Sequence, residues 1–126
     1  MWESEGLGGE DVLWASTAFN GGIAGQQQAP CGALSSAVVC LGLRHRCDRE
    51  DREQARQARE TARREANQLF EEFRREFGAF SCIDLIGVRF SDADGYRRFR
   101  EEGIGEKKCL NYVKYLIQRL YEMAGA

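Results

Sequence analysis

Apolar residues recur every three or four positions along most of the chain, which is the spacing of one face of an α-helix. The longest such stretch runs from Asp48 to Phe77, and its apolar residues change from alanine to leucine and phenylalanine along its length. This stripe consists of Ala55, Ala58, Ala62, Ala66, Leu69, Phe70, Phe73 and Phe77. We therefore predict one long helix of about 30 residues, which packs on the main core through its second half.

Shorter helices are predicted on both sides of the long one. They comprise Asp11 to Phe19, Cys31 to about Arg46, a short helix opened by Ser81 and stopped by Gly87, a helix from Ser91 to about Glu102, and a last helix from near Glu106. No segment shows a convincing strand alternation, and residues 1–9 are expected to be frayed. The chain is therefore predicted to be a single all-α domain over residues 1–126, a compact orthogonal bundle of about five or six helices including one long helix.

The charge balance and the lack of long apolar runs exclude several classes of protein. The chain has 18 Lys and Arg against 20 Asp and Glu, whereas a general nucleic-acid binder is expected to be clearly basic. No apolar run is long enough to span a bilayer, and the first residues lack the features of a signal peptide. We expect no nucleic-acid partner, no membrane insertion and a cytoplasmic location.

Basic residues follow the first half of the long helix at helical spacing, namely Arg52, Arg56, Arg59 and Arg63. They could meet an acidic partner, but the neighbouring glutamates favour a solvated, ion-paired face. The apolar side of this half consists only of alanine, which offers little apolar surface for packing within a single chain. This small apolar surface motivates the prediction of a homo-oligomer joined along this helix.

Two further features have both a functional and a structural interpretation. Gly21, Gly22 and Gly25 could cradle an anion before the helix that follows them, but a plain turn is favoured. His45, the one histidine, could form a Cys–His dyad, but at a helix end it is more often a partner of the helix dipole.

Cysteines are the residues that carry candidate chemistry. The five are Cys31, Cys40, Cys47, Cys82 and Cys109, and an odd number without an export signal argues against a disulfide framework. Three of them fall at predicted helix starts, where free N–H groups and the helix dipole favour a thiolate. These three are Cys31 after Pro30, Cys82 after Ser81, and Cys109 beside Lys107 and Lys108. Any single cysteine could instead be a small buried apolar residue.

We predict that Cys31, Cys82 and Cys109 converge in space, with Cys47 apart from them and Cys31 as the nucleophile. Thiol–disulfide chemistry needs two sulfur atoms within bonding reach, whereas a zinc ion or an iron–sulfur cluster needs three or four ligands. Both a catalytic and a metal-binding role are therefore open for these three cysteines. A non-catalytic helical interaction module, such as a homodimer, is the rival interpretation.

Several short segments resemble, in the same order, those of the redox-active C_GCAxxG_C_C family. Cys31–Ser36 is similar to its CGAxxG motif, and Gly21–Gly25 to the glycine-rich loop before that motif. The helix end at Val39–Leu43, the third cysteine segment at Phe77–Gly87 and the fourth at Lys108–Val113 extend the resemblance. Together these segments cover roughly residues 7 to 121.

The resemblance implies a redox-active protein that uses cysteine thiols. Cys31, Cys82 and Cys109 fall on family cysteine positions, while Ser36 replaces the last glycine of the motif. The family's first cysteine lies on a helix before the glycine loop, and we expect that this chain begins too late to contain it. The family's association with transporters implies a redox or transporter-associated partner.

Overall fold

A computed structural model describes residues 3–125, and within them the fold is all-helical. The helices are α1 (Asp11–Ser16), α2 (Gly32–His45), α3 (Arg52–Phe77), α4 (Cys82–Ile86), α5 (Ala93–Glu101) and α6 (Leu110–Met123). A 3-10 turn, Thr17–Phe19, extends α1, and a π-helical turn, Gly105–Cys109, leads directly into α6. The all-α class and the single long helix are thereby confirmed.

Local capping explains where α3 begins and ends. The Asp51 side chain accepts a hydrogen bond from the Gln54 amide at 3.0 Å, and so begins the helix a turn later than the predicted start at Asp48. Gly78 ends the helix with a left-handed φ of 77°, a conformation that glycine adopts without strain. The helix is 26 residues long, close to the predicted length.

The core lies where α2 and α6 meet the second half of α3. Phe73 on α3 is fully buried, and its ring contacts Tyr112 on α6 at a centroid distance of 5.7 Å. Leu34 and Leu41 are fully buried on α2. The Tyr112 hydroxyl donates to the Leu85 carbonyl at 3.1 Å and so ties α4 to α6. The prediction that the long helix packs on the main core through its second half is confirmed.

The first half of α3 is covered within the chain on its alanine side and ion-paired on its basic side. Ala55 is buried at 6% exposure, and the other alanines of the stripe are half-buried. Arg56 binds Glu53 at 2.6 Å and Glu60 at 2.7 Å, as expected for a solvated face. The thin cover that motivated a homo-oligomer is therefore not observed, and oligomerisation stays a prediction.

The N-terminal segment, which was expected to be frayed, contacts the C-terminal end of α2. Leu7 is buried at 5% exposure, and Arg46 donates to its carbonyl at 2.6 Å. Glu5 pairs with Arg44 at 2.8 Å. The arginines at the end of α2 therefore contact Glu5 and Leu7, whereas most of residues 3–9 are exposed, and fraying of this segment stays a prediction. Residues 1 and 2 lie outside the described part of the chain. Within residues 3–125, no helix has the length and apolar character needed to cross a membrane.

Candidate functional site

A single antiparallel bridge between Pro30 and Ser81 brings two cysteine-bearing helices together. The Cys31 amide donates to the Phe80 carbonyl at 2.8 Å, and the Cys82 amide donates to the Ala29 carbonyl at 3.3 Å. Cys31 is the N-cap of α2, and Cys82 is the first residue of α4. The two cysteines therefore follow directly after the two bridged residues, and both helices start from this common anchor.

Cys109 reaches the same region from a different kind of helical position. The sequence places it in the first turn of a helix, and the helical backbone begins at Gly105 as a π-turn. Cys109 therefore ends the first, π-helical turn of a continuous helical run, which begins one residue before the predicted start near Glu106. π-Turns of this kind are frequent at functional sites.

One cavity of about 710 Å³ is lined by Cys31, Cys82 and Cys109. The three thiols lie close enough to interact electrostatically. Besides burial, which is the main cause, negative charge on Cys31 raises the pKa of Cys82 and that of Cys109. Cys40 also lines this cavity, further along α2, whereas Cys47 is not among its lining residues. The structure brings the three predicted cysteines together, and their catalytic role stays a prediction.

Burial has the largest effect on two of these thiols. The pKa of Cys82 is raised above its ordinary value, chiefly by desolvation, although a hydrogen bond from Gln27 acts in the opposite direction. The pKa of Cys109 is also raised chiefly by burial. The expectation that helix starts would favour thiolates at both positions is therefore wrong, because the loss of water on burial outweighs the effect of the helix start at each thiol.

Gln27 is a residue of this site that the sequence pattern did not reveal. Its side chain is buried, donates to the Val88 carbonyl at 2.8 Å, and accepts from the Phe90 amide at 2.7 Å. The Gln27 side-chain nitrogen Nε2, which donates to Val88, also lies 3.9 Å from the Cys82 sulfur. Gln27 is one of three consecutive glutamines in a loop, so nothing in the sequence distinguished it from its neighbours.

The glycine loop before α2 is a tightly folded turn. Its amides bond within the loop region, for example Ala24 to the Ala18 carbonyl at 2.8 Å and Gln27 to the Gly21 carbonyl at 2.8 Å. A Cβ atom on Gly22 would lie 2.7 Å from the Ala29 carbonyl oxygen and 3.1 Å from the Cys82 Cβ atom. The glycine is therefore needed for close packing beside Cys82, and the interpretation as a turn rather than an anion cradle is supported.

Two other predicted possibilities find no support in the site geometry. Among the described residues, no group of three or more His, Cys, Asp and Glu side chains is arranged to hold a metal ion. The predicted zinc or iron–sulfur ligation by Cys31, Cys82 and Cys109 therefore lacks a matching arrangement. His45 lies in a separate cleft, where its ring nitrogen is 2.5 Å from a Glu65 carboxylate oxygen, so it forms no dyad with these cysteines.

Comparison with known proteins agrees with the resemblance seen in the sequence. The sequence profile of a family described as "Putative redox-active protein (C_GCAxxG_C_C)" matches residues 2–123. Searches of curated proteins and of solved structures found no significant match. Because the family profile spans almost all of the chain, this protein belongs to the C_GCAxxG_C_C family.

Proposed function

We propose that this protein carries out thiol–disulfide chemistry with Cys31, Cys82 and Cys109. The observation that supports the proposal is the placement of Cys31, Cys82 and Cys109 on the wall of one cavity. Burial is the main cause that raises the pKa of Cys82 and of Cys109, and the proximity of Cys31 adds to both shifts. Thiol–disulfide exchange requires an approachable thiol and a second one nearby to resolve the mixed disulfide. The family description as redox-active is consistent with this reaction class.

Cys31 is assigned the attacking role and Cys82 the resolving role. Cys31 is less buried than Cys82, and it stands at the N-terminal end of the 14-residue helix α2, where the dipole favours negative charge. Cys82 starts α4 across the Pro30–Ser81 bridge, so its backbone is fixed relative to Cys31. When a Cys31–Cys82 disulfide is reduced, Cys82 leaves as a thiolate, and the Gln27 amide can donate to that sulfur. Cys109 is the third thiol and could exchange with either.

Mild oxidation of the folded protein tests this assignment. The reduced protein is treated with diamide, remaining thiols are alkylated, and disulfide-linked peptides are mapped by mass spectrometry. We expect an intramolecular Cys31–Cys82 disulfide, which Cys31→Ser abolishes and the matched control Cys47→Ser leaves intact. Absence of any disulfide among Cys31, Cys82 and Cys109 contradicts the proposal. Anaerobic purification with stoichiometric zinc or iron bound to these thiols would replace it with metal binding.

A helical interaction module is the second candidate, and exposed apolar side chains favour it. Trp14 on α1 is 74% exposed, and Leu110, Val113 and Ile117 on α6 are also exposed. Val113 and Ile117 stand at the cavity wall, so a second copy of the chain could cover this face. Sedimentation that shows a monomer at high micromolar concentration would exclude the homodimer.

A further inference from the structure

The cysteine cavity has no charged side chain in its lining. Almost a third of the residues in the chain are charged, yet none of the described residues that line this cavity is Asp, Glu, Lys, Arg or His. Its walls are built from aromatic and aliphatic side chains, including Phe19, Phe90, Phe99 and Leu116. Lys107 and Lys108, which precede Cys109 in sequence, are exposed and do not line it.

The polar side chains in the lining are all uncharged, and those of Ser16, Thr17 and Tyr112 already donate hydrogen bonds within the protein. The Ser16 hydroxyl donates to the Val12 carbonyl at 3.1 Å, and the Thr17 hydroxyl donates to the Leu13 carbonyl at 2.9 Å. A charged group that enters such a cavity loses water and gains no ion-pair partner, which is strongly unfavourable. The volume of about 710 Å³ is in the range of cavities that hold small organic molecules.

We propose that the substrate of this site is an uncharged, apolar, low-molecular-weight disulfide. This inference rests on the proposed thiol–disulfide function and adds the substrate class. The Cys31 thiolate attacks one sulfur of the ligand, the ligand S–S bond breaks, and one ligand thiolate leaves. The Cys82 thiol then loses its proton to solvent and attacks Cys31 in the mixed disulfide, and the second ligand thiolate leaves. Two protein thiols are oxidised to one disulfide, and one ligand disulfide is reduced to two thiols.

Charge selectivity of the reaction tests the substrate class. Rates are measured by stopped flow at neutral pH with uncharged dithiodipyridine and with the dianion of dithiobis(nitrobenzoate). Each rate is divided by the rate of the same reagent with N-acetylcysteine, which corrects for intrinsic reactivity. All proteins carry Cys47→Ser, so that this half-buried thiol, which lies after the end of α2 and outside the cavity, contributes no signal. We expect the corrected rate for the uncharged reagent to exceed that for the dianion by about tenfold or more.

A positive charge placed at the cavity wall should reverse part of this selectivity. Ile117→Lys adds a charge where the side chain lines the cavity and is 39% exposed, so the fold should tolerate it. The matched control is Gln118→Lys, one residue further along α6 and outside the cavity lining. We expect Ile117→Lys to increase the corrected rate with the dianion several-fold and Gln118→Lys to leave it unchanged. Val113→Lys repeats the test from the previous turn of α6.

The outcomes separate this inference from the function on which it rests. If diamide still produces the Cys31–Cys82 disulfide but the two reagents give equal corrected rates, the substrate class is wrong and the thiol chemistry stands. Equal effects of Ile117→Lys and Gln118→Lys also overturn the substrate class, since the cavity wall would then not govern access. If diamide produces no disulfide in the cavity, the proposed function fails whatever the selectivity.

Discussion

Two cavities of nearly equal volume lie towards opposite ends of α2, and their chemistry is opposite. The cavity near the start of the helix measures about 710 Å³ and holds Cys31 with no charged lining residue. The cleft near its end measures about 720 Å³ and is lined by Glu5, Arg44, His45, Arg46 and Glu65. Size therefore does not distinguish a candidate reaction site from a structural cleft in this fold, whereas charge does.

The charged side chains that line the cleft are bonded to other parts of the protein, and Arg46 donates to the Leu7 carbonyl. Arg44 binds Glu5, and His45 binds Glu65, so this cleft fastens the N-terminal segment and α3 to the end of α2. Basic residues at a helix C-terminus are also favoured by the dipole. In the other cavity, the Gln27 amide is the side-chain group that contacts the Cys82 sulfur. Paired groups in the cleft stabilise the fold, whereas the proposed function requires the thiols of the other cavity to remain available for reaction.

The largest expected effect comes from the core that supports both ends of α2. Phe73→Ala should lower the free energy of unfolding by roughly 3–5 kcal/mol, because a fully buried ring is lost beside Tyr112 and Phe77. Chemical denaturation measures the change. Both cavities should lose their protection from alkylation or proteolysis together. An unchanged denaturation midpoint would remove Phe73 from the core.

Loss of the Gln27 amide should affect the cysteine cavity and spare the charged cleft. Gln27→Met keeps the side-chain volume but leaves the Val88 carbonyl and the Phe90 amide without their partner, at about 1–3 kcal/mol for each group. The pKa of Cys82 should rise further, because the hydrogen bond from Gln27 lowers it in the native protein. Ultraviolet thiolate absorbance against pH, in a variant with Cys82 as the remaining thiol, measures this. A stability loss without a change in the titration would leave Gln27 a purely structural residue.

Two glycines of α2 offer a matched pair that separates its two ends. A Cβ atom on Gly32 would lie 2.5 Å from the Phe19 carbonyl oxygen, whereas a Cβ atom on Gly42 would meet nothing within 4 Å. Gly32→Ala should therefore destabilise the protein by about 1–3 kcal/mol and disturb the Cys31 end. Gly42→Ala should stabilise it by about 0.5–1 kcal/mol through helix propensity. Equal effects in denaturation would show that the close approach at Gly32 carries no energetic cost.

The smallest expected effect follows from a substitution in the charged cleft, which should also change the pKa of Cys40. Glu5→Gln removes the negative charge that pairs with Arg44 but keeps an oxygen that can accept from it, so this mostly buried contact should lose about 1 kcal/mol. Burial is the main cause that raises the pKa of Cys40, and the negative charge of Glu5 is the second. Cys40 should therefore titrate at a lower pH in the variant, seen as faster alkylation at fixed mildly alkaline pH. The rate at Cys47 serves as the internal control.

Periodicity was sufficient to predict the helices but not the contacts that build the site. Leu69 and Phe73 on α3 are spaced for a buried stripe, and burial of that stripe follows from the spacing alone. Ser81 is a recognisable cap, and its hydroxyl accepts from the Asp84 amide at 3.2 Å. Glu60 and Glu71 each have an arginine four residues further along α3, at Arg64 and Arg75, which is the favoured orientation of a helical ion pair. Among the ion pairs of residues 3–125, Glu60 and Glu71 bind Arg56 and Arg74 instead. Long exposed side chains can form several alternative ion pairs that differ little in free energy, so the sequence alone does not determine which pair forms.

The contacts that hold the cysteine-bearing helices together join residues that are distant in sequence, and a periodic pattern does not predict such contacts. The bridge from Pro30 to Ser81 and the buried Gln27 amide are both of this kind. Burial of Cys82 and Cys109, which reverses the expected effect on their pKa, is another consequence of tertiary packing. The choice of cysteines came instead from helix-start reasoning and from the order of family motifs.

The Pro30–Ser81 bridge also sets an order of assembly. Cys31, Cys40 and Cys47 lie close together in the chain, whereas Cys82 and Cys109 are synthesised only after the whole of α3. During synthesis, an oxidant therefore meets the three early thiols before the bridge can form. Closure of the bridge must bring together residues separated by α3, which makes it a non-local and comparatively late event. Completion of this contact fixes the backbone of Cys31 relative to that of Cys82, the two residues of the proposed exchange.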